Sequence, residues 1–253
     1  MRFLEFFDRI YVINLPYRVD RRKAIEKELN QAGISFLSEK VELFAAIRPD
    51  SAGFFQSIGY RGAFLSHLNV LRQARERGLN NVLIMEDDLE LSEDFKKYED
   101  LLIAELMGRD WDIVHFGHSI EPIASAREVS LPILQPFSGE LIGAQFYGVN
   151  GKVLDRLIDF FEALLQRPAG HPEGGPMSPD GAYNFFRWQN PDVVRLIAVP
   201  SFGGQRSSRS DITPSWFDRL PILRFLARVA REIGLVRMLK NFSSLKQAKR
   251  RKP

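Results

Sequence analysis

The sequence predicts an α/β fold in which a mixed sheet is flanked by helices. Short apolar runs that suit buried strands alternate along the chain with longer segments of helical periodicity. Acidic residues follow directly after one of these strands, where open α/β sheets bind their ligands. The 253 residues, of which 45% are hydrophobic, suffice to bury one sizeable core.

The first half of the chain is expected to open with a β-α unit and to continue with two further strand and helix pairs. Glycine favours the left-handed backbone that ends a helix, so Gly33 and Gly78 should terminate the first two helices. Ser92 should cap the third helix through its hydroxyl. The predicted strands are Ile10–Leu15, Ser35–Ile47 and Asn81–Met85, and the predicted helices are Asp20–Ala32, Gly59–Gly78 and Ser92–Met107.

The second half repeats the alternation around a loop rich in Gly and Pro, Arg167–Pro179, which has no periodicity. Ser178 or Asp180 is expected to cap the short helix that follows this loop. The predicted strands are Trp111–Phe116, Gln145–Val149 and Val193–Val199, and the predicted helices are Lys152–Gln166 and Asp180–Trp188.

Composition excludes several classes of protein. Cysteine is absent, which rules out disulfides, thiolate catalysis and thiolate-bound zinc. The N-terminal segment is interrupted by Glu5, Asp8 and Arg9, so it does not resemble a secretory signal. No run reaches the roughly 20 apolar residues that span a bilayer. The absence of cysteine leaves the redox compartment open. Together these features are compatible with a cytoplasmic protein that is soluble or held at a surface.

Basic charge is concentrated at the C-terminal end. Residues 219–253 hold eleven of the 35 Lys and Arg residues and one acid, Glu232. We expect a catalytic domain over residues 1–215 and a basic amphipathic helical tail over 216–253. The tail either lies on an anionic surface, the inner face of the cytoplasmic membrane, or packs on the body. Because the body is acidic and no nucleic-acid motif is present, no nucleic-acid partner is expected.

The segment VLIMEDDLEL carries the most informative chemistry. Residues two apart on an extended backbone point the same way, so Glu86 and Asp88 should share a face while Asp87 points elsewhere. Carboxylates bind hard divalent cations, which can neutralise a departing diphosphate. As an alternative, the three acids simply begin a solvated loop or cap the next helix.

Basic and polar side chains follow the first strand. Asn14 ends that strand, and Arg18, Arg21 and Arg22 follow it. Guanidinium groups pair with phosphate oxygens, and an Asn can bind a base or ribose. The alternative is that these arginines only face water.

Histidines occur at two further places in the predicted α/β unit. Ser66 and His67 point about a hundred degrees apart on a helix, which favours a binding role over a nucleophile and base pair. His115 and His118 lack a recognisable zinc spacing, so structural or acceptor-side roles are expected for both.

Four ordered segments carry a family resemblance. They are IYVINLPYRVDRR, GYRGAFLSHLNVLRQA, VLIMEDD and VPSFGGQRSSRSDI. Their order and spacing, over roughly residues 9 to 213, resemble the family 25 glycosyltransferases of lipopolysaccharide and lipooligosaccharide assembly. The resemblance implies a glycosyltransferase-A type fold and a nucleotide-sugar donor, usually UDP-galactose. It also implies inversion at the anomeric carbon, with a glycan or lipid-linked glycan as acceptor.

The resemblance also suggests roles for single residues. Mn²⁺ or Mg²⁺ would be held by Glu86, Asp87 and Asp88. The donor would be bound by Asn14, Arg18, Arg21, Ser66, His67, Gln205 and Arg206. Inverting transfer needs a general base for the acceptor hydroxyl, and Asp180 is the candidate.

Two other function classes fit the same residues. One is a non-catalytic nucleotide-binding or membrane-surface protein that kept the fold. The other is a phosphohydrolase, which would release phosphate from simple esters, whereas a transferase should release nucleoside diphosphate only from a sugar nucleotide.

Overall fold

The computed structural model describes residues 1–120 and 131–206. The chain divides into two compact units, Met1–Gln205 and Arg206–Pro253, and all described helices and strands lie in the first. The predicted basic helix and the predicted boundary at residue 215 lie outside the described residues. Within residues 1–120 and 131–206, none of the helices has the length and hydropathy needed to cross a membrane.

Six helices and nine strands make up the described part of the chain. The helices are α1 (Phe3–Phe6), α2 (Val19–Gln31), α3 (Ile58–Glu76), α4 (Phe95–Met107), α5 (Leu154–Gln166) and α6 (Pro179–Gln189). The strands are β1 (Arg9–Asn14), β2 (Val41–Ala45), β3 (Asn81–Glu86), β4 (Leu89–Leu91), β5 (Ile113–His115), β6 (Leu134–Pro136), β7 (Phe146–Asn150), β8 (Arg195–Ala198) and β9 (Gly203–Gln205). A 3-10 turn, Gly151–Val153, leads into α5.

The predicted strand and helix alternation is confirmed, with local corrections. Gly33 and Gly78 adopt positive φ angles of 84° and 63°, as expected where a helix ends. The extended segment predicted over residues 35–47 is shorter, since only β2 is a strand. Ser92 is not the cap of α4, whose N-cap position is Asp94. The reason is tertiary, because the Ser92 amide donates to the Phe202 carbonyl and prolongs an extended segment.

The main sheet has seven strands in the order β2-β1-β3-β7-β5-β8-β6. β7 is antiparallel to β3 and β5, and β6 is antiparallel to β8. The pairs β1 with β2, β1 with β3, and β5 with β8 are parallel. This is the predicted mixed α/β sheet, and it brings the carboxyl ends of β1, β3, β5 and β8 to one edge. A separate two-stranded ribbon pairs β4 with β9.

Helices cover both faces of the sheet, and each face has its own apolar core. The first core contains side chains of α1, α2 and α4, and the second contains side chains of α3, α5 and α6. Phenylalanines dominate the first, where the rings of Phe3 and Phe116 lie 4.7 Å apart. Full burial of one such side chain stabilises the fold by roughly 1.5–3 kcal/mol.

Candidate active site

The predicted acidic cluster lies at the carboxyl edge of the sheet, where β3 ends. The Glu86 amide donates to the Gln145 carbonyl at 3.0 Å, and the Asp87 amide donates to the Ile13 carbonyl at 3.1 Å. These bonds join the acidic segment to the start of β7 on one side and to β1 on the other. The position of the cluster is therefore fixed by the sheet itself.

Asp87 points towards the β1–α2 connection and is 6% exposed. Its Oδ2 accepts from Asn14 Nδ2 at 2.7 Å, and its Oδ1 accepts from Arg21 Nη1 at 2.8 Å. Charge-assisted bonds of this kind are strong. Asp87 thus joins β3 to β1 and α2, and it holds Arg21 at the edge of the site.

Asp88 contacts the same arginine, but one of its two carboxylate oxygens has no hydrogen-bond partner among the described residues. Its Oδ2 lies 3.3 Å from Arg21 Nη1. Its Oδ1 is buried and has no hydrogen-bond partner among the residues that the structure describes. Burial, followed by the charge of Glu86, raises the pKa of Asp88 to about 7 although Arg21 opposes the shift. A buried carboxylate oxygen in this state can accept a cation.

Glu86 lies on the opposite face from Asp87, as the alternation of a strand requires. Its Oε1 lies 3.0 Å from His67 Nε2, and its Oε2 lies 3.5 Å from Gln205 Nε2. Burial, followed by the charges of Asp180 and Asp87, raises the pKa of Glu86 to about 8. The ionised form is therefore unfavourable in the protein alone.

The chemistry of the two carboxylates suits a divalent cation, which prefers oxygen ligands. The buried Oδ1 of Asp88, without a hydrogen-bond partner among the described residues, is the oxygen available to it. No group of three His, Asp or Glu side chains converges as a metal cluster anywhere in residues 1–120 and 131–206. A cation here would need further ligands, and Mg²⁺ commonly takes one or two carboxylates together with substrate phosphates.

His67 is fully buried beneath Glu86. Its Nδ1 lies 2.7 Å from the Tyr147 hydroxyl, and the Tyr183 hydroxyl donates to the Tyr147 oxygen at 2.8 Å. Burial lowers the pKa of His67 to about 4, so its ring is neutral at pH 7. Neither this chain of contacts nor its tyrosines were evident from the sequence, since they join α3, β7 and α6.

Ser66 is also buried, and its hydroxyl bonds within the chain. It accepts from the Ile47 amide at 2.8 Å and donates to the Gly62 carbonyl at 2.7 Å. Ser66 thereby attaches the segment after β2 to α3. Its predicted contact with the donor stays a prediction.

The remaining donor-binding candidates lie nearer to solvent. Arg18 forms two 2.9 Å hydrogen bonds with the carboxylate of Asp20. Gln205 is exposed at the end of β9, opposite Leu89, and this ribbon brings it to Glu86. Arg206 directly follows Gln205 and is the last described residue.

Asp180 lies in the first turn of α6, close enough to Glu86 to raise its pKa. Its Oδ1 accepts from the amides of Gly143 and Ala144 at 2.8 and 2.7 Å. Ser178, not Asp180, is the N-cap of α6, because it accepts from the Gly181 amide. Asp180 therefore fixes the segment before β7, and its predicted role as base remains a prediction.

Glycines allow three segments of main chain to approach one another closely. A Cβ on Gly143 would lie 2.5 Å from the Gly117 carbonyl oxygen, and one on Gly117 would lie 2.8 Å from that of Gly203. The two histidines of this region bind main-chain carbonyls. His115 Nδ1 donates to Gly143 at 2.8 Å, and His118 Nε2 contacts the Ala198 oxygen at 2.7 Å. Both thus have the structural contacts expected of them.

Comparison with known proteins finds similarity to one family over the first half of the chain. Residues 7–122 match the profile of glycosyltransferase family 25 (LPS biosynthesis protein). Procollagen galactosyltransferase 1-B of Xenopus laevis is 30% identical over 132 residues, covering 44% of this chain and 21% of that protein. Inactive glycosyltransferase 25 family member 3 of Homo sapiens is 28% identical over 131 residues, covering 44% of this chain and 22% of that protein.

One solved structure also matches over most of the chain. A glycosyltransferase involved in the glycosylation of the major capsid of PBCV-1 has a TM-score of 0.47 and 11% identity, covering 76% of this chain and 80% of that chain. The similarity to family 25 depends on the sequence matches alone, and these span about a fifth of the curated relatives' own length. The acidic cluster, Asn14, Arg21 and His67 all fall inside the matched segment. Residues 7–122 of this chain are therefore similar in sequence to glycosyltransferase family 25.

Proposed function

We propose that this chain transfers a hexose, galactose, from a UDP-sugar to a glycan or lipid-linked glycan acceptor of lipopolysaccharide or lipooligosaccharide, with inversion. Support comes from the family 25 segment and from relatives named galactosyltransferases. The observation that carries the proposal is the pair Glu86 and Asp88 at the end of β3, where the buried Oδ1 of Asp88 has no hydrogen-bond partner among the described residues. A donor diphosphate bound with Mn²⁺ or Mg²⁺ would complete the site.

The proposed donor site is built around this pair. Glu86 and Asp88 would hold the cation together with the donor diphosphate, and Asp87 fixes Arg21 beside them. When bound, the cation supplies charge neutralisation to the departing UDP. The other donor-binding candidates are Asn14, Arg18, Ser66, His67, Gln205 and Arg206.

Asp180 is the proposed general base. Transfer forms a bond from the acceptor oxygen to the anomeric carbon while the bond from that carbon to the UDP oxygen breaks. The acceptor proton passes to the Asp180 carboxylate, and the electron pair of the broken bond leaves with UDP. The two amides that bind Asp180 Oδ1 would hold the carboxylate in a fixed orientation.

The proposal is tested with a panel of sugar nucleotides. A ligand that binds the folded state raises its thermal stability, so UDP-galactose with Mn²⁺ should raise the Tm more than other sugar nucleotides. UDP release should then require an acceptor glycan. Glu86→Gln and Asp88→Asn should abolish release, whereas Glu93→Gln, an exposed acid of the following segment, should not. Full Mn²⁺-dependent activity in Glu86→Gln would refute the metal site.

A non-catalytic role is the second candidate, and one comparison favours it. A relative of similar identity is named an inactive member of the family. A protein of this kind would bind the sugar nucleotide, with a rise in Tm, and would release no UDP with any acceptor. The same panel therefore separates the two candidates.

We also propose a cytoplasmic location at the inner face of the cytoplasmic membrane. The basis is the charge of residues 219–253, with eleven basic side chains and one acid. The full chain should sediment with vesicles that contain anionic lipid, and a chain ending at residue 218 should not. Equal sedimentation of the two would contradict this location.

A further inference from the structure

A chain of buried hydrogen bonds runs from the second apolar core to the acidic cluster. It passes from Tyr183 on α6 to Tyr147 on β7, then to His67 on α3, and ends on Oε1 of Glu86. The three distances are 2.8, 2.7 and 3.0 Å. Tyr147, Tyr183 and His67 are each 0% exposed, so water does not satisfy their polar atoms.

Sheet geometry explains why these side chains meet. Tyr147 pairs with Ile84 in the register of β3 and β7. Because side chains two apart lie on the same face, Glu86 emerges on the face that Tyr147 occupies. The rings of Tyr147 and Tyr183 pack edge to face at 5.0 Å, and α3 places His67 against the same face.

The protons of this chain can be placed by counting donors. Tyr183 has one hydrogen-bond partner among the described residues, the oxygen of Tyr147. A buried hydroxyl proton without an acceptor is costly, so Tyr183 donates to Tyr147. By the same reasoning the Tyr147 proton must go to its other partner, which is Nδ1 of His67.

That placement fixes the tautomer of the imidazole. A neutral ring carries one proton, and since Nδ1 accepts from Tyr147, the proton is on Nε2. The Nε2 proton is then donated to Oε1 of Glu86. The opposite tautomer would leave the buried hydroxyl proton of Tyr147 without an acceptor.

We propose that Tyr147 is a positioning residue for the Glu86 carboxylate, acting by holding His67 in the Nε2-protonated tautomer. The hydrogen bond from His67 fixes Oε1 of Glu86. The other oxygen, Oε2, faces Gln205 at the solvent-exposed edge of the sheet. The role in transfer rests on the proposed function, whereas the tautomer does not. Partners that orient the ligands of a metal site through a histidine commonly matter for its affinity.

The test reads the tautomer directly. Protein labelled with ¹⁵N-histidine is compared by long-range ¹H–¹⁵N NMR as wild type, Tyr147→Phe, Tyr183→Phe and Tyr11→Phe. His67→Gln assigns the His67 signals. Tyr11 is the matched control. It is also a buried tyrosine, but its hydroxyl accepts from Arg77 and takes no part in the hydrogen bonds between Tyr183, Tyr147, His67 and Glu86.

Wild type, Tyr183→Phe and Tyr11→Phe should show the Nε2-protonated ring, and Tyr147→Phe should show a substantial Nδ1-protonated fraction. In Tyr147→Phe the Kd for Mn²⁺ should rise about tenfold or more, the lower end for changes next to metal ligands. The kcat for sugar transfer should fall while the KM for the acceptor stays the same. Tyr11→Phe should leave Kd and kcat unchanged.

An Nδ1-protonated ring in the wild type, or an unchanged ring in Tyr147→Phe, would overturn the proposal. Equal Mn²⁺ affinity in Tyr147→Phe and wild type would overturn its positioning role. If the wild type shows the expected tautomer and binds Mn²⁺ but transfers no sugar, the proposed function fails while the role of Tyr147 at the metal site stands.

Discussion

Glu86→Gln should stabilise the metal-free protein, increasingly so as the pH rises. The folded pKa of Glu86 is raised from 4.5 to about 8, so the folded state resists ionisation between these values while the unfolded state ionises freely. At ~1.4 kcal/mol for each pKa unit, full ionisation costs the folded wild type about 5 kcal/mol. The side chain retains 18% exposure, and solvent reduces that cost. We therefore expect a gain of roughly 2–4 kcal/mol between pH 5 and pH 8.5.

The measurement is urea unfolding in EDTA at several pH values. Below the unfolded pKa of 4.5 both states are protonated, so wild type and variant should differ little; the difference should grow up to about pH 8 and then level off. Glu93→Gln, which changes an exposed acid nearby, should follow the wild type at every pH. A stability difference between Glu86→Gln and wild type that does not vary with pH would refute the reasoning.

Three further changes test the framework of the site. Arg195→Met removes a buried cation that donates to an amide oxygen and two carbonyls, so unfolding by urea should show a loss of about 3–5 kcal/mol. Gly62→Ala places a Cβ 2.5 Å from the Ile47 oxygen and should lower stability by about 1–3 kcal/mol, whereas Gly204→Ala meets nothing within 4 Å and should not. Asp180→Asn keeps an oxygen for its two main-chain donors, so UDP release should fall at least 100-fold with the Tm unchanged; normal release would exclude it as base.

Local sequence patterns predicted the elements that frame the site. β1 and β3 each contain a continuous apolar run. α2 and α3 end near glycines with positive φ, a backbone conformation that glycine adopts readily because it has no Cβ. The acids were placed at a strand end because they directly follow such a run. Alternation along the strand also predicted that Glu86 and Asp88 would share a face while Asp87 pointed elsewhere. Asp87 and Glu86 do contact different partners, but Asp88 contacts the same arginine nitrogen as Asp87. The reason is that β3 ends at Glu86, so strand alternation does not continue to Asp88.

The sequence did not reveal the short strands or the partners of the acids. β4 and β9 have three residues each and pair across more than a hundred positions, so neither carries a pattern of its own. The sequence predicted Ser92 as a helix cap. In the structure its amide instead donates to the Phe202 carbonyl, which continues the pairing of β4 with β9. Likewise, His67 and Glu86 are 19 residues apart and Tyr147 is 80 residues from His67, distances over which no periodicity relates side chains.

The sequence by itself determined the α/β alternation, the strand-end position of the acids and the family 25 resemblance, since each depends on neighbours in the chain. Tertiary structure alone decided the order of the strands, with β7 inserted antiparallel between β3 and β5. That insertion brings Tyr147 beneath Glu86 and the amides of Gly143 and Ala144 to Asp180. The physical reason is that the burial of a side chain and its hydrogen-bond partners exist only in the packed chain. These two properties determine the pKa values of the acids and the position of the proton on His67.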